Sequence, residues 1–193
     1  MTIKKIILIG SSTGGPGHLE NIIKRLPKPF HSKIIIAQHM ERSLISSFAG
    51  RLNSISAHSV QATGDSITPV EAGEIYLCSQ SCRLIDHNGT LSLESVIPDM
   101  PTYNPLIDLL FQSGVPFSQK VQILPILLTG IGEDGARGLL ALKEEGIDTI
   151  AESEASAIVY GMPRTAREMG AASRILTLDK IIEAIIEFEN ANV

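Results

Sequence analysis

Residues Lys4–Gly15, KKIILIGSSTGG, decide the fold. Ile6, Ile7, Leu8 and Ile9 form an unbroken apolar run, short enough for a strand buried on both faces, as parallel-sheet strands are. The run breaks into Gly10-Ser11-Ser12-Thr13-Gly14-Gly15, and behind it Leu19, Ile22, Ile23 and Leu26 recur at helical spacing. The stretch reads as a strand, a tight glycine turn and a helix, with a hydroxyl at the apex of the turn. Two chemistries use that arrangement. In a nucleophile elbow, small flanking residues let a serine project from the carboxyl end of a strand, and Gly10-x-Ser12-x-Gly14 fits. In a phosphate cradle, glycines before a helix N-terminus expose amides to an anion.

Outward from this stretch, apolar strands alternate with amphipathic helices. Lys33–Gln38 is a second buried strand ending at His39, and Leu44, Phe48 and Leu52 mark a helix behind it. Residues 59–97 change character, with Gly64, Gly73, Asn88-Gly89 and Pro98 punctuating short runs; Asn88-Gly89 signals a type I′ hairpin, so the region reads as a hairpin insertion. Asn104-Pro105 offers a cap and a first-turn proline for a helix through Leu106, Leu109 and Leu110. Gln122–Leu128 is a buried strand despite Pro125, which removes a ladder donor and calls for a bulge or a sheet edge. It runs into a second glycine-rich turn, Thr129–Gly135, and a helix that Gly146 stops. A strand at Asp148–Ala151, a short helix from Gly161, a strand at Arg174–Leu178 and a helix capped by Asp179 complete the chain. The fold class is α/β: a doubly wound, mostly parallel sheet with helices on both faces, plus a β-hairpin insertion.

Composition narrows the function. The 193 residues suit one domain with a sizeable core, built on aliphatic residues because Trp is absent. A net charge of −5 gives no reason to expect nucleic-acid or anionic-membrane binding. No signal sequence opens the chain and no apolar run approaches bilayer-spanning length, so a cytoplasmic protein without membrane insertion is expected. Cys78 and Cys82 lack His or Cys partners nearby, which points to free thiols rather than a metal site.

In a parallel α/β sheet, ligands bind beyond the carboxyl ends of the strands, and Ser12, His39 and Asp134 all fall at such ends. Serine needs an imidazole to take its proton, and the imidazole needs a carboxylate to fix its tautomer. Taken singly, Ser12 and Ser11 suit a glycine turn, and Asp134 suits a helix N-cap. The joint placement of the three favours a triad. The order Ser, His, Asp differs from the Ser, Asp, His of α/β-hydrolases. His18, His31, His58 and His87 lie in surface-like contexts. A nucleotide site fares worse: there is no Lys-Ser/Thr after the glycines, no Gly-x-Gly-x-x-Gly, and Gln38-His39 stands where a ribose-binding acid belongs.

Five stretches carry a resemblance to a known family: GSSTGGP at 10–16, AQHM at 37–40, SFAGRLN at 47–53, LTGIGEDGARGLLAL at 128–142 and EAS…YGMPR at 154–164. In order and spacing the chain resembles CheB, the bacterial chemotaxis protein-glutamate methylesterase, over essentially the whole of that family's catalytic domain. The resemblance implies Ser12 as nucleophile, His39 as general base and Asp134 as the residue orienting it. It implies oxyanion and substrate-site loops at Thr13 and at Gly130, Ile131 and Gly132, with no metal and no cofactor. The implied partners are the cytoplasmic helices of methyl-accepting chemoreceptors, with glutamine deamidation as a second activity.

Departures from the family pattern are few. Ile131 stands where Met is common, Asn104-Pro105-Leu106 replaces Arg-Pro-Ser, and Glu41-Arg42 replaces prolines after the histidine. CheB proteins usually carry an N-terminal receiver domain; here the strand leading to Ser12 starts at Lys4, so one catalytic domain over residues 1–193 without a receiver is expected. The rival functions are a serine esterase acting on a small ester and a non-catalytic binding module on the same fold.

Overall fold

The computed structural model describes residues 4–98 and 103–191. Its centre is the strand that the opening stretch predicts. β1 (Lys4–Ser11) pairs in parallel with β2 (Lys33–Gln38) on one side and with β8 (Val121–Leu127) on the other. Beyond β2 lie β5 (Ile75–Leu77) and then β3 (Val60–Ala62); beyond β8 lie β9 (Ile150–Glu152) and β10 (Arg174–Leu176). All seven strands run parallel, in the order β10-β9-β8-β1-β2-β5-β3.

Alternation along β1 divides the core into two layers. Ile7 and Ile9 face α1 (Gly15–Lys24), α2 (Arg42–Ile55) and α6 (Leu178–Asn190), against Leu19, Ile22, Phe48, Leu52 and Ile182. Ile6 and Leu8 face α3 (Ile107–Gln112), α4 (Ala136–Glu144) and α5 (Met162–Glu168), against Phe111, Leu139 and Met162. All four isoleucine and leucine side chains of the run are fully buried. Burial of each contributes about 1.5–3 kcal/mol relative to exposure. The doubly wound sheet with helices on both faces is therefore as expected.

The region 59–97 holds more than a hairpin. β6 (Cys82–His87) and β7 (Thr90–Ser95) form it, with Asn88 (φ 53) and Gly89 (φ 80) at the turn. β4 (Ile67–Pro69) joins β7 to make a small antiparallel sheet, whose Leu84 and Leu93 pack into the α3 side of the core. Val60–Ala62 and Ile75–Leu77, however, extend the main parallel sheet. Cys78 and Cys82 are buried free thiols.

Smaller expectations are corrected too. The buried seam of α2 begins at Ile45, and Leu44 is exposed. α3 starts at Ile107, not at Pro105, and Asn104–Pro105 is a cis peptide. The cap of α6 is Thr177, whose side chain accepts from Lys180 N, while Asp179 sits in the first turn. Pro125 lies inside β8, yet no bulge is needed. Leu128 N donates to Gly10 O (2.8 Å), so strand alternation turns residue 125 toward β9, and that ladder begins only at Ile126.

Chain direction reverses beside β1: the sheet grows through β2 one way and later through β8 and β9 the other way. Such a switch point leaves a crevice beyond the carboxyl ends of the central strands. The loops after β1, β2 and β8 meet there.

Candidate active site

Ser12 is the first residue beyond β1, and its amide donates to Thr129 O at 2.9 Å. Gly14 makes the turn possible: its φ is 87°, and an added Cβ would lie 2.6 Å from Ile158 Cβ. The two hydroxyls of the turn have different fates. Ser11 is buried, and its Oγ donates to Gln38 Oε1 at 2.6 Å. Gln38 Nε2 donates to Ser12 O (3.0 Å) and to His39 O (2.9 Å), tying the two strand ends together. Ser12 Oγ makes no hydrogen bond among the described residues, and the residue is half-buried.

Because Ser11 pairs with Gln38 in the β1–β2 register, Ser12 and His39 are the next residues on adjacent strands. His39 N donates to Ser11 O (2.9 Å), and its ring stacks on Tyr103 with centroids 4.8 Å apart and planes within 4°. His39 Nε2 lies 2.8 Å from Asp134 Oδ2. Asp134 also accepts the first amides of α3, Ile107 N on Oδ2 (2.8 Å) and Asp108 N on Oδ1 (2.9 Å). It therefore caps a helix, but α3 rather than the α4 that follows it. This explains why α3 ignores the local Asn104-Pro105 signal. Both Asp134 oxygens already accept N–H groups, so Nε2 is the donor in its contact with histidine and Nδ1 is the basic nitrogen. Asp108, half-buried next to Asp134, has its carboxyl pushed up mainly by desolvation, and Gly138 N donates to it at 2.7 Å.

The second glycine turn lies across from Ser12. Gly130 must lack a side chain, since a Cβ would stand 2.6 Å from Ser12 Cβ. Its amide donates to Val159 O (3.0 Å), and its carbonyl accepts from Gly161 N and Met162 N. Gly130 N is thus not free to bind an oxyanion. The amides of Thr13, Ile131 and Gly132 have no acceptor among the described residues. Ile131 and Ile158 stand 62% and 66% exposed at the rim.

Residues 7–185 match the sequence profile of the CheB methylesterase family. The chain belongs to the CheB methylesterase family. Among curated relatives, the protein-glutamate methylesterase/protein-glutamine glutaminase 2 of Carboxydothermus hydrogenoformans is 38% identical over 191 residues, covering 96% of this chain and 54% of the relative. The corresponding protein of Symbiobacterium thermophilum is 38% identical over 185 residues, 94% of this chain and 50% of the relative. The chain spans about half the length of these CheB relatives. The crystal structure of the Thermotoga maritima CheB methylesterase catalytic domain superposes with a TM-score of 0.87 at 34% identity, covering 95% of this chain and 98% of that one.

Within this CheB fold, three elements around the crevice escaped the sequence reading. Tyr103 covers one face of His39, and a Cβ on Gly132 would come within 2.5 Å of its Oη. Gln38 bridges the strand ends. His18, expected at the surface, is only 8% exposed, and its Nε2 meets Glu152 Oε1 at 2.9 Å. That carboxylate raises the His18 pKa above the ordinary histidine value, against a lowering contribution from burial. His31 and His87 are exposed as expected, and His58 is half-buried against Phe30. Among the described residues no group of His, Cys, Asp and Glu is arranged to hold a metal ion, and no helix is long and apolar enough to cross a membrane.

Proposed function

We propose that this chain is a serine hydrolase, the catalytic unit of a CheB-type enzyme, removing methyl groups from glutamate γ-esters of a protein substrate. Ser12 is the nucleophile, His39 the general base and Asp134 the residue that orients it. One observation carries the reading: the 2.8 Å contact from His39 Nε2 to Asp134 Oδ2, on the strand end adjoining Ser12. It leaves Nδ1 as the nitrogen able to take the serine proton.

In the first half-reaction Ser12 Oγ attacks the ester carbonyl carbon as its proton passes to His39. The carbonyl oxygen becomes an oxyanion, for which the unpaired amides of Thr13, Ile131 and Gly132 are the available donors. The intermediate collapses, the carbon–methoxy bond breaks, and His39 returns its proton to the departing oxygen as methanol forms. In the second half, His39 takes a proton from water as the water oxygen attacks the acyl-enzyme carbonyl. The Ser12 Oγ–carbon bond then breaks, His39 returns the proton to Ser12 Oγ, and the glutamate side chain leaves as its acid, which ionises in water. Glutamine follows the same path with ammonia as the leaving group.

The substrate is a chemoreceptor's cytoplasmic helices, which places the reaction in the cytoplasm. Two features support this class: the names borne by the CheB relatives, and a rim on which Ile131 and Ile158 stand exposed beside the serine turn. An exposed apolar rim suits a protein surface better than a small ester held in a deep pocket. The test is methanol release from a methyl-labelled receptor fragment. The parent chain should release it and Ser12→Ala should not; equal release by both would remove Ser12 from the chemistry.

A further inference from the structure

Behind the serine turn lies a buried polar network that the triad does not include. Glu152 ends β9 and is fully buried, yet both its carboxylate oxygens are engaged. Oε2 accepts Thr129 N–H at 2.8 Å. Oε1 accepts Ser156 Oγ–H at 2.8 Å and faces His18 Nε2 at 2.9 Å. His18 Nε2 also lies 3.3 Å from Ser156 O. Carboxylate and carbonyl are both acceptors, so Nε2 carries a hydrogen and donates. The β8–β9 ladder ends at Leu127 and Ala151, and from there the Glu152 side chain takes over the pairing of the chain leaving β8.

Thr129 is the joint through which this reaches the reaction centre. It is fully buried. Its carbonyl accepts Ser12 N–H (2.9 Å), its Oγ1 donates to Thr13 O (2.8 Å), and the same Oγ1 accepts Val159 N–H (2.8 Å). One residue thus holds the backbone on both sides of Ser12 and the segment that in turn bonds Gly130. Among the described residues, its own amide is fixed only by Glu152.

We propose that Glu152, braced by His18, is a positioning residue: it sets Thr129, and through Thr129 the serine turn and the facing Gly130–Gly132 loop. The proposal rests on Ser12 being the nucleophile. Without the carboxylate, Thr129 N–H is a buried donor with no acceptor, and the loop relaxes to find one. The serine and the oxyanion donors then lose their mutual register. His18 has a second effect. A bare carboxylate beside the oxyanion loop opposes the charge that develops there, and a donated imidazole proton offsets it.

The test uses this chain and its Glu152→Ala and Glu152→Gln variants, with active serine titrated by a fluorophosphonate and turnover followed as methanol release from a methyl-esterified receptor fragment. Dividing kcat by the titrated serine removes any loss due to misfolded protein. Displacing reacting groups by about an ångström costs on the order of 100-fold, so Glu152→Ala should lower kcat per titrated serine by about 10- to 100-fold with KM little changed. Glutamine retains an acceptor for Thr129 N–H, and Glu152→Gln should stay within about 3-fold of the parent. An alanine variant as fast per serine as the parent overturns the proposal, as does a glutamine variant as slow as alanine. If Glu152→Ala yields no folded protein, Thr129→Val decides: it leaves the amide on Glu152 but removes the Oγ1 bonds. It should lower kcat per serine about tenfold or more, and an unchanged value overturns the proposal. A parent chain whose Ser12 does not take the probe defeats the nucleophile assignment itself, a separate outcome visible before any variant is compared.

Discussion

His39 Nε2 and Asp134 Oδ2 lie 2.8 Å apart although the residues are 95 positions distant in sequence. The contact closes the crevice beside β1, joining the loop after β2 to the loop after β8. Asp134 simultaneously caps α3, so one carboxylate sets both the imidazole tautomer and the start of a helix.

That double duty predicts a double defect for Asp134→Asn. The amide has one acceptor oxygen where three N–H groups converge, so at least one buried donor loses its partner. Turnover should fall by about 10⁴-fold, as expected for a wrongly held tautomer. Stability should fall by about 1–3 kcal/mol, or roughly 2–4 °C in melting temperature per kcal/mol for a chain of this size. A steady-state rate and a thermal melt check both parts. An asparagine variant that melts like the parent contradicts the capping role.

Ser11 and Ser12 are neighbours with opposite assignments. Ser12→Ala should abolish esterase activity to about 10⁻⁴ of the parent or below, with the melting temperature preserved. Ser11→Ala removes the donor to buried Gln38 Oε1 and should cost about 1–2 kcal/mol of stability while activity stays within about tenfold. Parallel melts and rates on the two variants settle which hydroxyl reacts. Loss of activity in Ser11→Ala with Ser12→Ala active reverses the assignment.

Much of this was legible in the sequence because the proposed nucleophile and base lie close behind apolar runs. Ser12 and His39 lie just beyond four-residue apolar runs, Ile6–Ile9 and Ile34–Ala37, whose carboxyl ends a parallel sheet brings together. Other parts were hidden for physical reasons. Val60–Ala62 and Ile75–Leu77 are too short to show any period, so their place in the main sheet comes from pairing alone, Ile75–Leu77 with β2 and Val60–Ala62 with β5. His18 and Glu152 look like surface residues locally, and only the approach of α1 to β9, 134 positions away, buries them together. Tyr103 carries no motif; its role depends on the ring of His39 lying beneath it.

The His18–Glu152 pair predicts a pH signature in stability. The folded-state pKa of His18 is raised by Glu152, so the pair's contribution is fully present below the unfolded histidine value of about 6.5 and is lost as pH rises through the folded pKa. The melting-temperature gap between the parent and His18→Ala should therefore be widest near pH 6 and narrower at pH 9. A gap that widens with pH has the wrong sign for this pairing.

Tyr103 holds the His39 ring by stacking alone, an interaction worth about 0.5–1.5 kcal/mol. Tyr103→Ala should lower kcat by about 2- to 10-fold, and Tyr103→Phe should leave it nearly unchanged, because the stack needs the ring and not the hydroxyl. Comparing the two rates is sufficient. A phenylalanine variant as slow as alanine shifts the role to the hydroxyl beside Gly132.

A Ser12 nucleophile must pass through a covalent glutamyl ester, and that ester can be trapped. Turnover of a methyl-esterified receptor fragment is quenched in acid, the protein is digested with trypsin, and the Ile6–Lys24 peptide is examined by mass spectrometry. That peptide should carry the substrate's glutamyl fragment in ester linkage at Ser12, formed as methanol is released and absent from Ser12→Ala. Methanol release with Ser12 unmodified at every quench time, or an adduct on a different residue, contradicts a Ser12 nucleophile.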